Sequence, residues 1–239
     1  MRLDKMLGKC GYGSRRELKS MIRSGAVTIN GRVCTNAAQH VDETGDVVCV
    51  CGKQAVYREF VYLLLHKPAG YVSATEDGRY PVVTQLAGDQ YRQFGLFPVG
   101  RLDVDTTGLL LLTNDGAFAH RVLSPKSHVP KTYLAKVDGC LTQADVNFMA
   151  AGVPLGGGET AMPAKLELLD AENEGLLTIY EGKFHQVKRM FAAAGKPVVQ
   201  LKRVKFGALS LPGGMQEGDC RELTADELDL IEQNSQSGR

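Results

Sequence analysis

The residues best placed to do chemistry lie in Gly100-Arg-Leu-Asp-Val-Asp-Thr-Thr-Gly108, where Asp103 and Asp105 stand just ahead of the apolar run Leu109-Leu-Leu-Leu112. A carboxylate set against a buried strand has little solvent around it. It serves there either as a turn former that accepts from its own backbone amides or as a catalytic group. Read as Asp-x-Asp-x-Thr, the segment also has the form used for phosphoryl transfer, with the first aspartate as nucleophile beside a magnesium ion. That chemistry needs an apolar strand leading into the motif and a second acidic motif downstream. Gly100-Arg101 interrupts the entry, and neither Asp-Asp nor Gly-Asp-x-x-x-Asp follows.

Other reactive side chains form no comparable constellation. The six cysteines contain no Cys-x-x-Cys pair, and the five histidines make no His-Glu-x-x-His. Cys49 and Cys51 would share a face if both lay on one strand, but zinc needs four ligands, so the expectation is reduced thiols and no metal. Gly156-Gly-Gly158 reads as a loop tip, because no strand-to-helix context surrounds it as a phosphate cradle requires.

The formal net charge of +1 conceals a segregation. Residues 1–35 carry Arg2, Lys5, Lys9, Arg15, Arg16, Lys19, Arg23 and Arg32 against Asp4 and Glu17, a net of +6. Residues 181–205 carry Lys183, Lys188, Arg189, Lys196, Lys202, Arg203 and Lys205 against Glu181, again +6. Two such blocks in a near-neutral chain are expected where two surfaces meet a polyanion; each alone could equally be a solvated helix face. The acidic stretch from Glu217 to Glu232 reads as a helix outside any polyanion path.

These residues must be positioned by elements whose periods are visible. Leu3, Met6 and Leu7 have helical spacing, Ser14-Arg-Arg-Glu17 has the form of a capping box, and Leu18, Met21 and Ile22 continue a second helix to Gly25. The period then changes, and Asn30-Gly31 between two short β-like runs signals a hairpin. From residue 60 the strand candidates are Val61–His66, Leu109–Thr113, Thr132–Val137, Ala164–Leu169 and Leu176–Tyr180. Helical stretches fall near Thr142–Ala151, Gln186–Ala194 and Ala225–Gln233. Strands in succession with few helices between them predict an α+β chain of 239 residues, divided as a domain over 1–52, a linker over 53–59 and a larger domain over 60–239. No apolar run approaches the ~18 residues of a membrane span, and no leader-like apolar segment opens the chain, so a cytoplasmic protein is expected.

Five stretches in order, Leu65-His-Lys-Pro-Ala-Gly-Tyr71, Gly100–Gly108, Lys131-Thr-Tyr133, Glu181-Gly-Lys-Phe-His-Gln-Val-Lys-Arg-Met-Phe191 and Leu201-Lys-Arg203, resemble the RsuA-type ribosomal pseudouridine synthases over nearly the whole chain. The first domain likewise resembles the S4-like (alpha-L) RNA-binding module that precedes the catalytic domain in that family. The resemblance implies a small alpha-L domain followed by a larger, mixed and mainly antiparallel-sheet synthase domain. It implies no cofactor and no metal, since the isomerisation has no net redox change and no leaving product.

The resemblance also implies roles. Asp103 is the carboxylate at the sugar and Asp105 a structural turn acceptor. Tyr133 stacks on the everted base, and Arg101 fills the space it vacates. Lys188 pairs with Asp103 and keeps it anionic, as a buried carboxylate otherwise takes a proton, with Arg189 the alternate partner. Leu201 and His185 complete the substrate side, Lys67 is a phosphate or a fold contact, and Arg2, Lys5, Arg15, Arg16, Lys19 and Arg23 face RNA. Phe184-His-Gln186 is closer to the small-subunit enzymes than to large-subunit relatives. The expected substrate is therefore 16S rRNA, at the uridine 516 site, within an assembling small subunit and modified by a monomer. A 23S rRNA synthase and an inactive RNA-binding relative are the alternatives.

Overall fold

A computed structural model of the chain describes residues 1–236. It separates into two compact units, one of Met1–Val61 with Gly88–Leu96, the other of Tyr62–Ala87 with Phe97 onward. In the first, α1 (Leu3–Lys9) buries Leu3, Met6 and Leu7. Ser14 then caps α2 (Arg15–Arg23): its Oγ accepts from Glu17 N at 3.4 Å while Glu17 Oε2 accepts from Ser14 N at 2.7 Å. The reciprocal bonds satisfy two donors that a helix start leaves orphaned.

β1 (Val27–Ile29) and β2 (Arg32–Val33) form the expected hairpin. Asn30 and Gly31 have φ of 51° and 79°, the two successive left-handed residues that a tight turn between twisted strands requires. β3 (Val48–Val50) pairs with β1 and β4 (Lys53–Gln54) pairs with β3, giving the order β2-β1-β3-β4. This pairing falls at the start of the expected 53–59 linker. Cys51 (φ 48°) and Gly52 turn the chain back, so Lys53 and Gln54 still belong to the sheet, and Cys51 sits in a turn rather than on a strand face with Cys49. Leu18, Ile22, Val27, Val48 and Val50 join the α1 residues in one core, which leaves Lys5, Arg15, Arg16, Lys19 and Arg23 outside it and exposed.

Among the described residues the second unit is built on a nine-stranded sheet, and its chain begins with β5 (Tyr62–Lys67), β6 (Phe97–Val99), β7 (Thr107–Thr113), then, after α3 (Gly116–Leu123), β8 (Lys131–Val137). α4 (Gln143–Ala150) leads to a separate two-stranded ribbon, β9 (Pro154–Gly156) and β10 (Glu159–Thr160). β11 (Lys165–Leu168), β12 (Glu174–Ile179), α5 (Gln186–Ala193), β13 (Val198–Phe206), β14 (Leu209–Ser210), β15 (Cys220–Glu222) and α6 (Ala225–Gln236) complete it. The main path runs β11-β12-β8-β13-β7-β5-β15, with β6 on β7 and β14 on β13. All neighbours are antiparallel except β7 and β13, so the unit is α+β with a mixed, mainly antiparallel sheet.

The apolar runs of β5 and β7 are buried on both faces, which is why they read as continuous rather than alternating. Phe118 and Val122 of α3 and Ile231 of α6 pack with Leu64, Leu109, Leu111 and Phe206 into one core. At the parallel contact, Gly108 lies opposite Arg203 with φ 107°, and a Cβ there would stand 2.2 Å from Arg203 O. Only glycine permits this approach.

Candidate active site

The loop from Gly100 to Thr106 between β6 and β7 carries the two aspartates, and its backbone is fastened at several points. Ser73 Oγ both accepts from Leu102 N at 3.0 Å and donates to Leu102 O at 2.9 Å, while Gly70 N donates to Val104 O at 2.8 Å. Lys67, fully buried at the end of β5, donates from Nζ to Pro68 O (2.9 Å), Val104 O (3.2 Å) and Thr106 O (2.8 Å). Of its two expected alternatives, Lys67 is thus a fold contact and not a phosphate ligand. Thr106 N closes the turn onto Asp103 O at 3.1 Å.

The cation facing this loop comes from α5, whose buried Val187, Met190 and Phe191 fix the helix against the sheet. Lys188 Nζ lies 3.0 Å from Asp103 Oδ2 and 2.6 Å from Asp105 Oδ1. Arg189 turns elsewhere, to Leu155 O, Phe184 O and Glu159 Oε2. Adjacent residues on a helix point about 100° apart, and here only the direction of Lys188 meets the aspartates. The pairing left open by the sequence therefore falls to Lys188.

The Asp105 carboxylate is held by Lys188, through Oδ1, as well as by the backbone amide of its own residue. The side chain is 73 % exposed. Partial burial raises the Asp105 carboxyl, but the hydrogen bond and charge of Lys188 outweigh that and leave it below the usual carboxylate range. Burial likewise pulls the Lys188 ammonium down, and the two aspartates more than reverse it. One lysine thus serves two carboxylates.

His185 begins α5 with φ 48°, a left-handed conformation enriched for few side chains. Its Nε2 stands 3.5 Å from Asp103 Oδ1, and its ring stacks on Phe184 at 3.8 Å between centroids. Gln186, 4 % exposed, braces this turn by accepting from Lys183 N (2.9 Å) and donating to Glu181 Oε1 (2.9 Å). Sequence reasoning passed over Gln186, although a polar residue opening an otherwise apolar helix stripe was the available signal.

These groups line a cavity of about 870 Å³, within the range of small-molecule sites. Asp103, Asp105, Lys188 and His185 stand on its wall with the exposed Arg101, while Tyr133 and Leu201, both nearly buried, lie on the sheet side. Along β8 alternate residues are buried, so Lys131 and Tyr133 share a face, and β13 brings Arg203 opposite Tyr133. Arg189 is not among the lining residues.

The second basic block is partly engaged within its own unit, and three of its members, Lys183, Lys188 and Arg203, line the cavity. Lys183 meets Glu181, Lys188 the two aspartates, Arg189 Glu159, and Lys196 Asp145, while Arg203 is buried. In the first block Arg2 is tied to Asp4 at 2.7 Å, and the other five residues assigned to RNA are exposed.

With the geometry in place, comparison with known proteins decides the family. The model for RNA pseudouridylate synthases matches residues 61–193, more than half of the chain, and the S4 domain model matches residues 1–48. The chain belongs to the RNA pseudouridine synthase family. This synthase is 47 % identical to the RNA pseudouridine synthase YtzG of Bacillus subtilis over 97 % of its own length and 98 % of the relative's. It is 44 % identical to the ribosomal small subunit pseudouridine synthase A of Pasteurella multocida (95 % and 98 % of the two chains). It is 39 % identical to the ribosomal large subunit pseudouridine synthase B of Bacillus subtilis (100 % and 98 %). A crystal structure of a pseudouridylate synthase, 39 % identical, superposes with a TM-score of 0.68 over 97 % of this chain and 99 % of that one. The synthase is an isomerase with an N-terminal S4 domain.

Proposed function

We propose that this synthase isomerises one uridine of 16S ribosomal RNA, at the uridine 516 site, with Asp103 as the carboxylate at the ribose. The observation that carries the chemistry is the fastened loop that presents Asp103 to a nucleotide-sized cavity, 3.0 Å from the Lys188 ammonium. A uracil stacked in RNA is out of reach of any such group, so the nucleotide everts, at a few kcal/mol. Arg101, exposed on the wall, occupies the vacated position. The Tyr133 ring offers its face to the base, a contact of about 1–3 kcal/mol, and Leu201 excludes water. His185, 3.5 Å from the same carboxylate, lies on the sugar side. Arg15, Arg16, Lys19, Arg23 and Lys5, with Arg2 at the edge, hold the RNA backbone through the S4 domain.

The choice of 16S RNA rests on Phe184-His-Gln186 and on the 44 % identity to a small-subunit synthase. A second reading, 23S RNA, is favoured by the 39 % identity over the full chain to a large-subunit synthase. Mapping pseudouridines in both RNAs, in cells with and without the gene, separates them. The proposal expects one 16S pseudouridine to vanish; loss of a 23S pseudouridine overturns it in favour of the second reading. The substrate is the assembling small subunit and the enzyme a cytoplasmic monomer, read by comparing turnover on naked RNA and on partly assembled particles. An inactive, RNA-binding role is excluded if Asp103→Asn abolishes a turnover that the unaltered synthase displays.

A further inference from the structure

Lys131 and Arg203 both line the cavity, and neither forms an ion pair among the described residues. Arg203 is 2 % exposed; its Nε donates to Leu109 O at 2.7 Å, but its Nη2 is buried with no hydrogen-bond partner among the described residues. Lys131 is 9 % exposed. Both cations sit over the ring of Phe206, at 5.7 Å for Lys131 Nζ and 5.3 Å for Arg203. Of the carboxylates on the cavity wall, Asp103 and Asp105 are held by Lys188, Glu181 by Lys183 and Gln186, and Asp77 by the Arg79 and Tyr80 amides. Thr106 Oγ1, also buried and without a partner among the described residues, lines the same cavity. Burial, followed by repulsion from Arg203, pulls the Lys131 ammonium down to about 8. Two like charges held together out of water are costly unless something negative joins them.

We infer that Lys131 and Arg203 form the receptor for the carbonyl oxygens of the everted uracil and stabilise the negative charge the ring carries while detached from the sugar. This rests on the proposed role of Asp103 at the ribose. An everted nucleotide enters base first, so groups deeper than the half-buried Asp103 meet the ring rather than the sugar or phosphate. When the C1′–N1 bond breaks with its electron pair going to the ring, the charge spreads to the carbonyl oxygens. The ring then returns a pair from C5 to C1′ to form the new bond, C5 loses its proton, and N1 gains one, so uridine and pseudouridine have the same atoms. Fixed cations aimed at the transient charge favour that state more than the neutral substrate.

The test uses the full-length synthase in single-turnover assays on its RNA, with RNA affinity measured in parallel. Lys131→Met keeps the packing on Phe206 and removes the charge. The expected result is a rate at least about 100-fold lower with RNA affinity and its salt dependence within twofold of wild type. Lys131→Arg should retain a rate within about tenfold. A Lys131→Met rate within threefold of wild type overturns the inference. So does a parallel loss of affinity and salt slope, which would make Lys131 a phosphate ligand. Lys131→Gln is read in the same way should the methionine variant be poorly folded. Asp103→Asn is run beside them: if it retains turnover, the underlying reading has failed, whereas an inactive Asp103→Asn beside an active Lys131→Met sinks the inference alone.

Discussion

Replacing Lys188 with methionine removes the only cation found within 4 Å of both Asp103 and Asp105 among the described residues while preserving the length of the side chain. At 3.0 Å and an effective dielectric of about 20, one ammonium–carboxylate attraction is about 5 kcal/mol. The side chains of Lys188 and Asp103 keep 26 % and 29 % of their exposure, so solvent screening reduces this to about 2–3 kcal/mol. If that energy orients and balances the carboxylate in the transition state, the rate falls by about 30- to 150-fold. Without the ammonium, Asp105 loses the hydrogen bond and charge that hold it below the usual carboxylate range, so the deficit should deepen as pH falls toward that range. Single-turnover pseudouridine formation from pH 4 to 8 reads both effects, and Lys188→Arg should restore most of the rate. A methionine variant within threefold of wild type at every pH would refute the reasoning and leave Lys188 a surface contact.

Three further outcomes follow from the geometry. Changing Arg15, Arg16 and Lys19 together to alanine should lower the slope of log affinity against log salt by about 2, measured by RNA titration at several ionic strengths, with turnover of bound RNA unchanged. Gly108→Ala forces a methyl group into the Arg203 backbone and should destabilise the second unit by about 3 kcal/mol or more, seen in denaturant melts. Glu227 is held down to about 2 by its hydrogen bonds to Arg221, which outweigh its desolvation. A carboxyl lowered on folding contributes stability above its unfolded value, and that contribution is lost as pH falls from about 4.5 toward 2. Glu227→Gln should therefore flatten melting temperature against pH in that window by an amount on the order of 1 kcal/mol.

The parts of the fold that could be read in advance are those whose determinants are local. Ser14 and Glu17 cap a helix through bonds three residues apart, and Asn30-Gly31 fixes a hairpin by its own backbone preferences. β13 was missed because Lys202, Arg203 and Lys205 break its apolar pattern, and burial of an arginine depends on Phe206 and on Leu109 of another strand. α3 was missed because Asn114-Asp-Gly116 reads as a turn, whereas Asp115 caps the helix by accepting from Phe118 N. At the site, the motif around Asp103 was visible, but which neighbour on α5 faces it is decided by helix rotation. The second partner of Asp105 was not legible for the same reason: Lys188 is 83 residues away. A charge count cannot tell a lysine that meets RNA from one already bound to a nearby acid, and the second basic block includes several of the latter kind.

The buried ammonium of Lys67, bonded to three carbonyls around the aspartate loop, means that the loop acquires its shape when β5 and β7 pair, before any RNA arrives. Its ordering entropy is lost during folding rather than at the encounter. Amide protons such as that of Thr106 should therefore exchange with solvent at the slow pace of the sheet in the free protein, and RNA should find the loop already set.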